Sequence, residues 1–115
     1  MKDGDVALTL LPQADGNLKY RPVVVLCRMP PFGDLLVCGI STQLQDEVDG
    51  FDDTINPSDS DFKRTGLKAP SLIRLGFLAA LPRNRFAGST RAISAKRHKL
   101  LLRRLTEFFK AQSEL

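Results

Sequence analysis

Eight residues early in the chain, Lys19-Tyr20-Arg21-Pro22-Val23-Val24-Val25-Leu26, constrain the fold more than any other stretch. Four consecutive apolar residues, three of them β-branched, read as a central strand. Proline fixes its own φ, lacks an N–H and pushes the residue before it into extended geometry, so Pro22 is expected to open this strand and not to sit in mid-ladder. Arg21 is then held extended at the mouth of the sheet. A guanidinium there, beside Lys19 and Tyr20, offers a planar fork of donors and an aromatic face to a phosphate and a base.

A chain of 115 residues is expected to form one domain over residues 1–115, large enough to bury a core without disulfides or metals. Cys27 and Cys38 each lie inside an apolar run with no metal-ligand spacing around them, so they read as reduced core thiols. That fits a reducing cytoplasm. No basic-then-apolar signal peptide opens the sequence, and no apolar run approaches the ~18 residues that span a bilayer. A soluble cytoplasmic protein with no membrane segment is the expectation.

Charge is segregated along the chain. Residues 1–45 balance, while residues 46–61 carry Asp46, Glu47, Asp49, Asp52, Asp53, Asp59 and Asp61 with no basic residue among them. Beyond that point, thirteen Lys and Arg face only Glu107 and Glu114. The separation predicts a bipolar surface, one side of which attracts a polyanion or an acidic peptide. A solvated loop and a solvated helix face would give the same count.

In order, Val6 to Leu11 reads as a first strand stopped by Pro12, and Gln13-Ala14-Asp15-Gly16-Asn17 has the chemistry of a turn. After the central strand, Arg28 to Asp34 reads as a hairpin connection and Leu35 to Ile40 as a third strand. Ser41-Thr42-Gln43 follows directly. Hydroxyls at such a junction ordinarily bond nearby backbone or cap a turn. In the acidic segment, Val48, Phe51 and Ile55 are the candidates for burial, with a short strand near Thr54 and the remainder exposed. A further strand is predicted from Ser71 to Leu78, where Arg74 must leave the sheet face or be paired. Short strands are expected around a Pro82–Arg85 turn, at Ala79–Leu81 and Phe86–Gly88. Ser94 is placed to cap a final helix whose apolar stripe is Leu101, Leu102, Leu105, Phe108 and Phe109. His98, the one histidine, has no ligand cluster near it in sequence and reads as structural or exposed.

The order of these features resembles the MazF/PemK (Kid) toxins of type II toxin–antitoxin systems. Gly4-Asp5-Val6 is similar to that family's opening, and Arg21-Pro22-Val23-Val24-Val25-Leu26 to its Arg-Pro strand. Ile40-Ser41-Thr42-Gln43 is similar to its hydroxyl-rich signature, and Gly66-Leu67 through Ser71-Leu72-Ile73-Arg74 to the start of a later strand. The resemblance implies an α+β fold that is mainly β, a small SH3-like antiparallel barrel with a C-terminal amphipathic helix. It further implies a homodimer and a cognate antitoxin, with single-stranded mRNA as the substrate of a sequence-specific, metal-independent endoribonuclease needing no cofactor. Carried over by position, Arg21 is the catalytic arginine, Ser41 the hydroxyl that works with it and Arg74 an additional arginine. Lys19, Tyr20, Thr42 and Gln43 are the accompanying RNA-binding candidates. Some relatives place a carboxylate two residues after the last arginine, where this chain has Gly76.

Cleavage by a neighbouring 2′-hydroxyl needs a base, an acid at the leaving oxygen and cations that stabilise the developing charge. Arginine suits the last role, being always charged and able to grip two phosphate oxygens. Asp5, Asp15 and the acidic segment are base candidates only by elimination. Two other readings stand beside the nuclease: a CcdB-like toxin that poisons DNA gyrase, and a non-catalytic nucleic-acid-binding barrel.

Overall fold

The computed structural model describes residues 1–115. Five strands form one antiparallel sheet: β1 (Val6–Pro12), β2 (Leu18–Met29), β3 (Asp34–Ser41), β4 (Asp53–Ile55) and β5 (Ser71–Leu81), in the spatial order β1-β2-β3-β5-β4. A one-turn helix, α1 (Phe62–Thr65), precedes β5, and α2 (Ala95–Ser113) ends the chain. The class is α+β, as expected. The sheet bends without closing into a ring, and β1 and β4 remain its edges.

The run Val23–Leu26 is fully buried because β2 is packed on both faces. Val24 and Leu26 enter a core with Val6, Cys38, Ile73, Leu75, Leu101 and Leu105, which α2 covers. Val23 and Val25 enter a second core with Leu11, Leu35 and Val37, closed by Phe77, Ala79, Leu81 and Phe86. Successive strand residues face opposite ways, so an unbroken apolar run is what two cores demand of the strand between them.

Strand β5 serves both cores by means of a bulge. Its register against β3 jumps from Cys38↔Leu78 to Gly39↔Arg74. The odd number of extra residues swaps the faces, so Leu75 packs in the first core and Phe77 in the second. Buried Asp52 secures this point, its carboxylate accepting from Leu75 N at 3.0 Å and Val48 N at 2.9 Å. Strand β5 runs on to Leu81, and Phe86–Gly88 form no strand; Phe86 instead plugs the second core.

The acidic segment departs from expectation. Asp52 and Asp61 are only 4% and 3% exposed, whereas Val48 is largely exposed. Arg97 of α2 meets Asp53 at 2.6 Å, Asp61 at 2.9 Å and Asp59 at 3.1 Å, and Arg104 donates to the Asp52 carbonyl. The edge strand β4 and the turn before α1 lie beneath the helix, so its arginines meet their carboxylates. Charge segregated along the sequence is therefore partly neutralised in space. Burial alone would raise the Asp61 carboxyl, but the hydrogen bonds from Arg97 and the Ser94 N–H outweigh it and hold the pKa at about 2. Burial likewise opposes charge on Arg97, yet its bonds to Asp61 and Asp53 keep the guanidinium proton more tightly held than usual.

The Ser94 hydroxyl accepts from Arg97 N at 3.1 Å and caps α2, as the sequence predicts. Leu101 and Leu105 are buried; Phe108 and Phe109 are half exposed, with Phe108 against Phe51 at 5.0 Å. His98 Nε2 lies 2.7 Å from the Leu26 carbonyl oxygen and ties the helix to the central strand, a structural position. Both cysteines are free thiols, Cys38 buried and Cys27 partly so. Burial pushes the Cys38 thiol up to about 12, so it stays protonated and inert. No helix is long and apolar enough to cross a membrane.

Candidate active site

Pro22 does not open β2. The strand begins at Leu18 and pairs with β1 from there onward, with Leu8 opposite Pro22. The β2–β3 ladder, however, begins only at Val23↔Gly39. Val25 donates its N–H toward the β1 side, to Asp5 O at 2.8 Å, so by alternation the N–H that Pro22 lacks belongs to the β3 side. The missing donor ends that ladder, and beyond it β2 and β3 are free to part.

The register then brings the predicted residues together. Val23, Gly39 and Arg74 form one row across β2, β3 and β5. Side chains two positions along share a face, so Arg21, next after Val23, and Ser41, next after Gly39, emerge on Arg74's side of the sheet. All three line a cleft of about 540 Å³, together with Thr42, Gln43, Gln13, Lys68 and Phe77. Gly39 lies in the floor, where a Cβ would stand 3.1 Å from the Phe77 ring and push it by a few tenths of an ångström. Tyr20 points the other way, is 68% exposed and lines no part of the cleft; Lys19 also lies outside it. Those two binding assignments are not supported by the geometry.

Two hydrogen bonds organise the cleft. Arg21 Nε donates to Gln13 Oε1 at 3.2 Å, and Gln13 Nε2 donates to the Leu11 carbonyl at 3.1 Å. The amide thus clasps the inner edge of the guanidinium and leaves its two terminal nitrogens for a ligand. Ser41 Oγ accepts from Gln43 N at 3.0 Å, the turn-capping bond common for such a residue. Its own hydrogen remains available to donate.

The lining carries three cations, Arg21, Lys68 and Arg74, and no carboxylate, imidazole or thiol. The carboxylates put forward as bases lie elsewhere. Asp5 is buried and accepts from Lys2 N at 2.8 Å, Asp15 accepts from Asn17 N at 2.9 Å, and Asp53, Asp59 and Asp61 are gathered on Arg97. No group of three or more His, Cys, Asp or Glu residues is arranged to hold a metal ion. Gln13, Lys68 and Phe77 were not legible as site residues. Gln13 reads only as turn chemistry, Lys68 as one of the thirteen later basic residues, and Phe77 as part of the strand from Ser71 to Leu78.

Fold and cleft together define a small two-cored α+β protein with a cation-lined seam between splayed strands. The family model of the PemK-like, MazF-like toxin of type II toxin–antitoxin systems matches residues 2–109, and the chain belongs to that family. Membership implies an antitoxin partner. A search of curated proteins finds no match.

Proposed function

We propose that this toxin is an endoribonuclease that cuts single-stranded mRNA in the cytoplasm by metal-independent transesterification, acting as a homodimer held in check by its antitoxin. The observation that carries the reading is the convergence of Arg21, Ser41 and Arg74 on one cleft with three cations and no carboxylate. Such a lining attracts a phosphodiester and stabilises charge gathering on its oxygens.

In this mechanism the 2′-hydroxyl gives its proton to water as its oxygen bonds to the adjacent phosphorus, the bond to the 5′ oxygen of the next nucleotide breaks and that oxygen takes a proton from water, leaving a 2′,3′-cyclic phosphate and a 5′-hydroxyl. Arg21 grips the non-bridging oxygens through the terminal nitrogens that Gln13 leaves free. Arg74 stabilises the same charge from β5. Ser41, its oxygen already occupied by the Gln43 N–H, donates its hydrogen to a phosphate oxygen and holds the group in register. Charge stabilisation, and not a residue base, supplies the rate.

The test is incubation of purified protein with a long single-stranded RNA, with and without chelator, alongside the alanine variants and thermal melts. Removing a preorganised donor to developing charge typically costs on the order of 3 kcal/mol, so Arg21→Ala should lower cleavage by roughly a hundredfold while the protein stays folded. Ser41→Ala and Arg74→Ala should cost less. With no carboxylate or imidazole in the cleft, the pH–rate profile should lack the bell of a residue acid–base pair. Intact but retarded RNA would favour a binding module, and inert RNA with gyrase inhibition a different poison. Loss of wild-type cleavage in chelator, or a folded and fully active Arg21→Ala, would refute the mechanism.

A further inference from the structure

A second cleft, of about 570 Å³, adjoins the first. Pro22, Leu67 and Lys68 line both, so the two form one continuous groove that turns over the Pro22 edge of β2. The second lobe is walled by Val6, Ala7 and Leu8 of β1 on one side and by the 87–91 segment on the other. Like the first, it contains no carboxylate, and its cations are Lys68 and Arg91.

Arg91 is held in an unusual way. Gly66, at φ +73°, has its backbone directly beneath the Arg91 side chain, and a Cβ there would fall 2.6 Å from Nε and 2.8 Å from Cζ. A Cβ there would make the flexible end of Arg91 shift, and glycine is the residue that readily takes that φ. The Arg91 backbone is fixed as well: its N–H donates to Ser89 Oγ at 2.9 Å, and its carbonyl accepts from Val6 N at 2.8 Å. Its side chain makes no ion pair; those of the molecule belong to Arg97 and Arg104. An exposed, unpaired guanidinium on a fixed stretch of backbone, at the end of a cationic groove, is free to take an anion.

We propose that this lobe is a second nucleotide subsite, in which Arg91, with Lys68 at the junction, holds a backbone phosphate of the strand whose scissile phosphate lies at Arg21. The inference rests on the endoribonuclease reading and deepens it. A nuclease that cuts within a strand must lead the chain out of its reactive cleft, and this groove is the continuation that shares the cleft's wall and charge. Leu8, which is 57% exposed beside the buried Val6 and Ala7, offers an apolar surface to a sugar or base face. Arg91 binds and does not react, so its removal weakens substrate binding and spares turnover.

The test uses mixed-sequence 2′-O-methyl RNA, which lacks the attacking hydroxyl, as a dinucleotide and as an octamer. Wild type, Arg91→Ala, Arg91→Lys and the control Lys110→Ala on the exposed face of α2 are compared by titration at several salt concentrations, with thermal melts of each. The wild type should bind the octamer more tightly than the dinucleotide. Arg91→Ala should lose about tenfold for the octamer and nothing for the dinucleotide, with its salt slope smaller by about 0.7. Arg91→Lys, which keeps the charge and loses the fork, should recover part of the affinity and keeps the test decisive should the alanine variant unfold. On cleavable RNA the effect should fall on KM and leave kcat unchanged. Equal octamer affinity in wild type and Arg91→Ala would overturn the inference. So would an equal loss for the dinucleotide, which would put Arg91 in the reactive cleft. A loss confined to binding of an acidic antitoxin segment would overturn it too, assigning the lobe to the protein partner. Wild type that neither binds nor cuts RNA would remove the endoribonuclease reading itself, whereas the other failures leave it standing.

Discussion

Replacing Arg97 by methionine should be the most damaging single change outside the cleft. Its side chain is 13% exposed and meets Asp53, Asp59 and Asp61, of which Asp61 is 4% exposed. The substitution keeps much of the aliphatic volume and strands a buried carboxylate with only the Ser94 N–H, at 2.9 Å, as partner. Breaking a buried pair in this way costs about 3–5 kcal/mol, which for a domain of this size lowers Tm by roughly 10–20 °C. The pH dependence sharpens the test. With its pKa lowered from 3.8 to about 2, Asp61 contributes roughly 2 kcal/mol to the wild type. That contribution is fully present above pH 3.8 and is lost as pH falls toward 2. In Arg97→Met only the Ser94 bonds still oppose the raising effect of burial, so Asp61 should take up a proton at a higher pH than in the wild type. The gap between the two proteins should therefore be widest near neutrality and narrow in acid. Urea unfolding of both at a series of pH values measures it. A variant as stable as wild type at neutral pH, or a gap unchanged into acid, would refute the account of this cluster.

Two further changes test the cleft. Gln13→Ala should lower kcat/KM by roughly threefold to tenfold with Tm unchanged, because it frees the Arg21 side chain without uncovering core; combined with Arg21→Ala it should add almost nothing, and an additive double mutant would show that Gln13 acts independently. Gly39→Ala should push the Phe77 ring aside and cost about 1–3 kcal/mol by overpacking, with weakened RNA cleavage in the folded fraction; unaltered melting and cleavage would mean that the ring yields freely.

Much of the sheet was legible because its strands announce themselves in apolar runs with turn residues between them. The first three strands, the short one at Thr54 and the capped helix all follow from such local signals. What local signals do not carry is register. The bulge at Leu75–Phe77 decides that Phe77 lies on the cleft side, and no feature of Arg74-Leu75-Gly76-Phe77 specifies how its partner strand is counted. Pro22, expected to start the strand and stay out of mid-ladder, sits inside β2 opposite Leu8, because a proline inside a strand disables one neighbour and not both. The burial of Asp52 and Asp61 was hidden for a similar reason: the Asp52 carboxylate is satisfied by the Val48 and Leu75 N–H groups and Asp61 by Arg97 and Ser94, and a carboxylate run with no nearby base reads as solvated. Arg21, Ser41 and Arg74 are singled out by family resemblance, and the fold brings them to one cleft; Gln13 and Lys68 join them only once the loops that carry them are folded.

Chain order gives the Arg97 cluster a direction in time. Asp61 leaves the ribosome 36 positions before the arginine that neutralises it, and the face of the sheet later covered by α2 is made before its cover. A nascent chain interrupted before the last helix carries stranded carboxylates and an open apolar surface, which mark it for aggregation or proteolysis. A chain built this way cannot close its first core from a truncated message: the fold waits for the last helix to be translated.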